Sequence, residues 1–333
     1  MNKRTFGQFA LAAIVAATLS ACGKKEEPAA PAASAPAPVA ELTVAYITNG
    51  NTNEGWTLIN GGAKQAGNTP GVKFIELAAE KGELSKQLAI VEDMITRKVH
   101  AIAIAPVDSA GIAPAINKAL AAGIKVVAVD TGITGAQITS YVATDNIKAA
   151  EVQGKWAAEQ IQDGDTVIYV TGDQGQSTGQ ERKKGFVDAL NAVRQNVKIV
   201  EVPTTWDQTM AQNGVEAALR ANPGAKVIAC AWDGGALGAK AALMAAGKKP
   251  GDIKIAGFDG SPGGLDMMKD GWQQANAAQM LAKIGRVGVE TAIAAARGET
   301  VEARIDTGSF LVLPENVDQF AQESGVGQFM KVK

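Results

Sequence analysis

The sequence predicts an α/β fold of two doubly wound parallel-sheet lobes. Apolar runs of strand length alternate with segments such as residues 85–98, whose apolar residues recur every three or four positions, as in amphipathic helices. The strand candidates are apolar along their whole length, which indicates parallel sheets that are buried on both faces. The strand–helix pattern begins at Thr43 and begins again at Asp165, so we expect two lobes of similar plan.

The first 22 residues have the layout of a secretory signal peptide, with Lys3 and Arg4 ahead of an apolar run over residues 9–19. That run is shorter than the roughly 20 residues of a membrane-spanning helix. It closes in Leu-Ser-Ala-Cys, which resembles the bacterial lipobox. The resemblance implies that Cys22 is lipidated and becomes the mature N-terminus, while an ordinary secretion signal with a chance cysteine is the alternative.

Residues 23–40 form an Ala- and Pro-rich segment with a few charges. This composition cannot bury a core, and its prolines favour extended polyproline geometry. At about 3.1 Å per residue, the segment would hold a folded domain up to ~55 Å from a membrane. We therefore predict a tether between a lipid anchor and the two lobes.

The rest of the chain, from Glu41 onward, is longer than one core usually supports, so two domains are expected. The formal net charge of −2 and the lack of a basic aromatic patch give no reason to expect a nucleic-acid partner. There are two cysteines. If Cys22 carries lipid, Cys230 has no partner for a disulfide, and its apolar surroundings indicate a buried small hydrophobe.

Ten strand candidates follow one another along the chain. They are residues 43–48, 72–77, 101–106, 125–130, 139–144, 165–170, 197–202, 226–232, 253–258 and 275–279. Doubly wound sheets bind ligands outside the carboxyl ends of their strands. The polar or aromatic residues and glycines at those ends are Thr48, Asn49, Asp130, Thr131, Thr171, Gly172, Trp232, Asp233, Asp259 and Gly260. We expect function to lie there.

Catalytic and metal motifs are scarce in this sequence. The single histidine, His100, lies at a helix-to-strand turn, where a structural role is expected. Without a second histidine or a cysteine cluster, neither a zinc site nor a serine–histidine pair is expected. The glycine-rich stretch over residues 171–186 lacks dinucleotide and P-loop spacing. It is interpreted as a turn, with a phosphate cradle at a helix start as the alternative, and no cofactor is expected.

The strand ends instead offer carboxylates, one arginine, amides and several tryptophans. Carboxylates accept hydrogen bonds from hydroxyls, and arginine donates through a planar fork. Aromatic faces pack against the C–H faces of a sugar ring. This inventory predicts a neutral polyhydroxyl ligand.

Seven stretches give the chain a specific resemblance over residues 42–312. They are NTNEGW (51–56), KVVAVDTG (125–132), YVATDNIKAA (141–150), QERKKGF (180–186), TTWDQ (204–208), AWDGGALGA (231–239) and IAGFDGSPGG (255–264). With them the chain resembles the periplasmic sugar-binding proteins of the ribose-binding type, which serve ABC importers. Sugar-responsive repressors share two of these motifs. A lipoprotein-like signal rather than a helix-turn-helix precedes them here, so a repressor is not expected.

The resemblance implies which residues bind the ligand. By position they are Asn49, Asn53, Trp56, Asp130, Arg182, Trp206, Asp259 and Gln279. The asparagines and Gln279 would be polar contacts, the tryptophans would cover the ring, and the carboxylates would accept from hydroxyls. For Arg182 the alternative is a solvated surface charge, and for the tryptophans it is core packing.

Three departures from the ribose-binding pattern leave the ligand open. Thr131 stands in place of an arginine, Gly55 in place of an aromatic residue, and Trp232 in place of an asparagine. Thr131 and Trp232 are also predicted to bind ligand. A hexose, another pentose or a polyol is as consistent with the sequence as ribose.

Three chain crossings between the lobes are expected, near residues 144–145, 279–280 and 307–309. They divide the chain into an N-terminal lobe (41–144 and 280–308) and a C-terminal lobe (145–279 and 309–333). The ligand would shift the protein toward a closed form that an ABC permease in the inner membrane recognises. The expected molecule is a lipid-anchored periplasmic monomer that needs no metal. A sensor acting on a chemoreceptor or sensor kinase is the main alternative, and a lipid-anchored enzyme is a further one.

Overall fold

The computed structural model describes residues 41–331. The predicted signal peptide, the lipidation site at Cys22 and the tether lie outside the described residues. No helix within residues 41–331 is long and apolar enough to cross a bilayer.

The described strands form two six-stranded sheets. They are β1 (Leu42–Thr48), β2 (Val72–Ala78), β3 (Ala101–Ile104), β4 (Lys125–Val129), β5 (Ser140–Ala143), β6 (Thr166–Val170), β7 (Lys198–Val202), β8 (Val227–Cys230), β9 (Lys254–Asp259), β10 (Ala275–Gln279), β11 (Arg304–Asp306) and β12 (Ser309–Val312). The first sheet has the order β2-β1-β3-β4-β5-β11 and the second the order β7-β6-β8-β9-β10-β12. All pairs are parallel except β10 with β12. The predicted pair of parallel-sheet lobes is confirmed.

Within residues 41–331, ten α-helices cover the sheets. They are α1 (Glu54–Gly67), α2 (Leu84–Thr96), α3 (Ala113–Ala121), α4 (Asn146–Glu159), α5 (Ser177–Val193), α6 (Gln208–Ala221), α7 (Asp233–Ala245), α8 (Pro262–Lys269), α9 (Leu281–Ala296) and α10 (Val317–Glu323). Short 3-10 helices span Glu80–Gly82 and Val326–Phe329 in the described part of the chain. Four α-helices begin at a side chain that accepts from a backbone N–H of the first turn, namely those preceded by Asn53, Asp145, Asp207 and Ser261.

The inner strands of both sheets are buried along nearly their whole length, as their apolar sequences predict. Cys230 ends β8 with no exposed surface and a free thiol, which confirms its interpretation as a small core residue. His100 accepts a hydrogen bond at Nδ1 from the backbone N–H of Thr43 at 2.9 Å. This bond ties the start of β1 to the turn before β3, the structural role that its position indicates.

The chain passes between the sheets three times, as the fold prediction requires. It leaves the first sheet after β5, returns to it after β10 through α9, and leaves it again between β11 and β12. At these crossings Arg304 Nη2 donates to the carbonyl of Thr144 at 2.9 Å, and the hydroxyls of Thr144 and Thr307 lie 3.4 Å apart. The residue boundaries given above for the two lobes stay a prediction.

Candidate ligand-binding site

A cavity that is partly open to solvent lies at the carboxyl ends of strands from both sheets. The residues predicted to bind ligand that line it are Asn53, Trp56, Asp130, Arg182, Trp206, Trp232, Asp259 and Gln279. The other lining residues are Asn51, Gly55, Ile59, Gln176, Thr178 and Leu281. The structure thus gathers eight of the ten predicted residues around one space.

Arg182 lies in the second turn of α5 and is 4% exposed. Its Nε donates to Asn146 Oδ1 at 2.8 Å, and its Nη1 donates to the carbonyl of Ala231 at 2.8 Å. Nη1 also reaches Asp259 Oδ1 at 3.2 Å, and the guanidinium carbon lies 4.0 Å from the centre of the Phe258 ring. No acceptor among residues 41–331 takes a hydrogen bond from Nη2. Arg182 is therefore not a solvated surface charge, and Nη2 can donate to a ligand.

Asp259 ends β9 and Gln279 ends the neighbouring strand β10. Gln279 Nε2 donates to Asp259 Oδ1 at 2.8 Å, while the buried Gln279 Oε1 has no partner within the described residues. Burial raises the pKa of Asp259 to about 6, against the opposing effects of the Arg182 charge and the Gln279 hydrogen bond. An unpaired buried acceptor is costly, and Gln279 Oε1 is such an acceptor on a residue that lines the cavity.

Asp130 follows β4 and faces the cavity from the first lobe. Burial raises its pKa, and the charge of Arg182 and the hydroxyl of Thr131 act in the opposite direction. Thr131 itself does not line the cavity. Its Oγ1 donates to Asp130 Oδ2 at 2.9 Å, so the structure places it behind a cavity-facing carboxylate, and its direct contact with ligand stays a prediction.

Three cavity residues have a positive backbone φ that non-glycine residues rarely adopt. The φ angles are 64° at Asp130, 62° at Trp206 and 107° at Asp259. Such conformations cost energy, persist only where the surroundings fix them, and cluster at functional sites. Their concentration around this cavity is independent support for a functional role.

Trp206 and Trp232 form an edge-to-face pair with ring centres 5.4 Å apart. The pair depends on glycine, because a Cβ at Gly172 would lie 2.0 Å from the Trp206 ring and one at Gly235 would lie 2.7 Å from the Trp232 ring. Trp206 Nε1 donates to Gln176 Oε1 at 2.8 Å, so a side chain satisfies this indole N–H. Both rings line the cavity and pack against the core, so core packing is observed, and contact of these rings with a ligand stays a prediction.

Trp56 and Gly55 reach the cavity from the first turn of α1. Asn53 caps this helix by accepting from the backbone N–H of Trp56 at 3.0 Å, which leaves its amide nitrogen for the cavity. A Cβ at Gly55 would lie 3.8 Å from Asp259 Oδ2. The glycine therefore leaves space beside that carboxylate where an aromatic residue would fill it.

The glycine-rich stretch over residues 171–186 turns the chain from β6 into α5, as predicted. Its backbone amides already have partners in the protein: Ser177 N donates to Ser109 Oγ at 2.9 Å, and Gly175 N donates to Asp173 Oδ1 at 2.8 Å. These contacts favour the turn over the phosphate cradle.

The two lobes also bond to each other directly beside the cavity. Gly132 N donates to Ser177 Oγ at 2.8 Å, and Ser109 N donates to the carbonyl of Gly175 at 3.0 Å. A further bond joins the start of α8 to the start of α1, where Gly263 N donates to Glu54 Oε2 at 2.7 Å. The lobes are therefore in contact around the cavity.

Asn49 lies outside this cavity. It is buried and lines a neighbouring polar cleft together with Lys81 and Asp207. Its Oδ1 accepts from the backbone N–H of Asn51 at 3.0 Å, and Asn51 lines both spaces. Asn49 shapes the loop that carries Asn51, and its own contact with ligand stays a prediction.

Several lining residues escaped prediction although the sequence carried a signal for some of them. Thr178 lies in the first turn of the helix that bears Arg182, and Ile59 lies three residues after Trp56 on α1, the spacing of neighbours on one helix face. Leu281 begins α9 just after the crossing that follows Gln279. Within residues 41–331, no group of three or more His, Cys, Asp and Glu side chains is arranged to hold a metal ion.

Fold and site together define a two-lobed solute receptor. Residues 44–300 match the periplasmic binding protein domain family, and the chain belongs to this family. Its relatives are solute-binding transport proteins rather than enzymes. Membership implies an extracytoplasmic location.

Curated relatives and solved structures agree with this assignment. The chain is 31% identical to a ribose import binding protein of Salmonella typhimurium over 83% of this chain and 92% of the relative. It is 32% identical to a D-ribose/D-allose-binding protein of Pseudomonas aeruginosa, over 79% of this chain and 85% of that protein. A solute-binding protein of Bacillus halodurans with bound myo-inositol has a TM-score of 0.80 at 26% identity, with 85% of this chain and 98% of that one covered. One from Mycobacterium smegmatis with bound glycerol has a TM-score of 0.77 at 32% identity, with 84% and 96% covered.

Proposed function

We propose that this protein is a lipid-anchored solute receptor that captures one neutral monosaccharide or polyol between its lobes and delivers it to an ABC importer. The observation that carries the proposal is the set of side chains that lines the cavity between the strand ends. It combines the carboxylates of Asp130 and Asp259 and the guanidinium of Arg182 with the rings of Trp56, Trp206 and Trp232.

Each group suits a polyhydroxyl compound. Asp130 and the unpaired Gln279 Oε1 accept from hydroxyls, Arg182 Nη2 donates to them, and the indole rings cover apolar C–H faces. The names of the relatives support the same ligand class, since ribose, allose, myo-inositol and glycerol are all neutral and hydroxyl-rich.

Capture would proceed by closure of the lobes. A ligand that touches both lobes favours the closed form over the open one. The lobe-to-lobe hydrogen bonds at Ser109 and Ser177 add to that preference, because they form only when the lobes meet. A permease could then recognise the joined outer surface of the two lobes.

A thermal-shift screen over pentoses, hexoses, polyols and cyclitols tests the proposal. At about 100 times its dissociation constant, the true ligand stabilises the folded protein by ~2.7 kcal/mol. A screen in which no member raises the melting temperature would overturn the ligand class. For the anchor, metabolic labelling with a fatty acid should mark the wild type and leave Cys22→Ala unlabelled; equal labelling would place the lipid elsewhere.

A further inference from the structure

Asp233 is a buried carboxylate that contacts the site from behind. It begins α7, directly after Trp232, and is 1% exposed without lining the cavity. Its Oδ2 accepts from the backbone N–H of Ser261 at 2.8 Å, and its Oδ1 accepts from Asn276 Nδ2 at 2.6 Å. Neither the family's sugar contacts nor the cavity lining accounts for this residue.

Asn276 completes the arrangement from β10. Its Oδ1 accepts from the backbone N–H of Gly260 at 2.9 Å. Asp233 and Asn276 together therefore hold the two backbone N–H groups that follow Asp259. Asp259 has a φ of 107°, a conformation that a side-chain-bearing residue keeps only where its surroundings fix it.

The backbone of strand β9 and of helix α8 lies directly against the Asp233 carboxylate. A Cβ at Gly257 would lie 2.5 Å from Asp233 Oδ1, and a Cβ at Gly264 would lie 2.2 Å from Oδ2. Two glycines thus let strand β9 and helix α8 close directly onto the carboxylate. A hydrogen-bonded group enclosed in this way holds its partners rigidly.

We propose that Asp233, acting through Asn276, is a positioning residue for ligand binding. The pair fixes the strained turn at residues 259–261, and this turn aims the Asp259 carboxylate at Arg182 and at the cavity. The inference rests on the proposed function, because ligand affinity is one of its two readouts. The other readout, the backbone geometry of Asp259, needs no ligand.

An exchange of the two side chains tests the inference. In Asp233→Asn, an NH₂ group must face a donor, either Ser261 N or Asn276 Nδ2, so one hydrogen bond is lost. In the double variant Asp233→Asn/Asn276→Asp, the amide and the carboxylate have changed places and all three hydrogen bonds can form again. Asp252→Asn, at an exposed carboxylate before β9, is the control. Asn276→Ala removes the acceptor for Gly260 and replaces Asp233→Asn if that variant does not fold.

Calorimetric titration with D-ribose, D-allose, D-fucose, myo-inositol and glycerol measures affinity, and ligand-free crystal structures measure φ at Asp259. We expect Asp233→Asn to lose the positive φ at Asp259. Because the Asp259 carboxylate is then no longer aimed at the cavity, this variant should bind the tightest of the five about tenfold or more weakly. The double variant should recover both.

Asp233→Asn could keep wild-type affinity and the positive φ at Asp259 and show only a lower melting temperature. In that case Asp233 would have a structural role alone, and the inference would be overturned. The inference would also be overturned if the double variant bound the ligand as weakly as Asp233→Asn does. If the wild type binds none of the five compounds, the proposed function fails for them, and the geometry of Asp259 in the variants still decides the inference.

Discussion

Arg182 Nη1 and Asp259 Oδ1 lie 3.2 Å apart, and both side chains are almost wholly buried in the wall of the cavity. This ion pair sets the charge of the site. Asp130 adds a second buried carboxylate that Arg182 also influences, so two acids face one guanidinium.

A phosphorylated sugar should bind at least tenfold more weakly than its parent sugar. A phosphate monoester carries about −1.5 to −2 charges at pH 7, and the cavity offers it two carboxylates and one partly used guanidinium. Competition calorimetry between a sugar and its phosphate measures the difference. A phosphosugar that displaced its parent would revive the phosphate cradle at residues 171–186.

Removal of divalent metal should leave ligand affinity unchanged. The acidic residues that line the cavity are Asp130 and Asp259, and Asp259 already has Arg182 and Gln279 as partners. Dissociation constants measured with and without EDTA should agree within error. If EDTA abolished binding and calcium or magnesium restored it, the ligand would bind through a metal ion, contrary to this prediction.

Ligand affinity should fall in mildly acidic solution. Burial raises the pKa of Asp259 from 3.8 to about 6, and hydroxyls donate to the ionised carboxylate. Protonation therefore competes with ligand below about pH 6, which implies affinity roughly tenfold weaker at about pH 5 than at about pH 7.5. Calorimetry across this range checks the prediction, with Asp259→Asn expected to show a flatter dependence. A constant dissociation constant would mean that Asp259 is not a ligand acceptor.

The raised pKa of Asp259 should make the ligand-free fold more stable in mildly acidic solution, where ligand affinity is lower. The folded protein holds the Asp259 proton more tightly than the unfolded chain does, because its pKa is raised from 3.8 to about 6. The contribution of this group to the free energy of unfolding therefore falls as pH rises from about 4 to about 6. Chemical unfolding of the wild type and Asp259→Asn, compared across that window, should show the difference. Parallel curves would contradict the shift.

Most of the fold could be predicted because a strand that is buried on both faces of a parallel sheet is apolar along its whole length in the sequence. The strands β11 and β12 escaped because they are short, with 3 and 4 residues, fewer than the roughly five or six of an average strand.

The candidate site was predictable to the extent that strand ends converge. Asp130 and Asp259 follow directly from their places at the ends of strands, whereas Gln279 was predicted from the family resemblance. Thr131 occupies an equally favourable position in the sequence. In the structure its hydroxyl bonds to the Asp130 carboxylate from behind and does not line the cavity. The role of Gly172 was also hidden, because only the packed structure shows that the Trp206 ring lies against it.

Replacement of Arg182 shows whether the ligand occupies the cavity between the strand ends. Arg182→Ala should lower the melting temperature of the ligand-free protein, because Asn146 Oδ1 and the Ala231 carbonyl lose a buried donor. Affinity must therefore be measured on the folded protein by calorimetry. The matched control is Lys184→Ala, since Lys184 is exposed and pairs with Asp188, whereas Lys183 is half-buried and pairs with Glu201.

We expect the wild type and Lys184→Ala to bind one equivalent of the tightest sugar or polyol with the same dissociation constant. Arg182→Ala should bind it about ten- to a hundredfold more weakly, as loss of a hydrogen bond from a charged donor, worth ~1.5–3 kcal/mol, implies. Equal affinity in all three proteins would show that the ligand does not occupy the cavity that Arg182 lines, and would contradict the account.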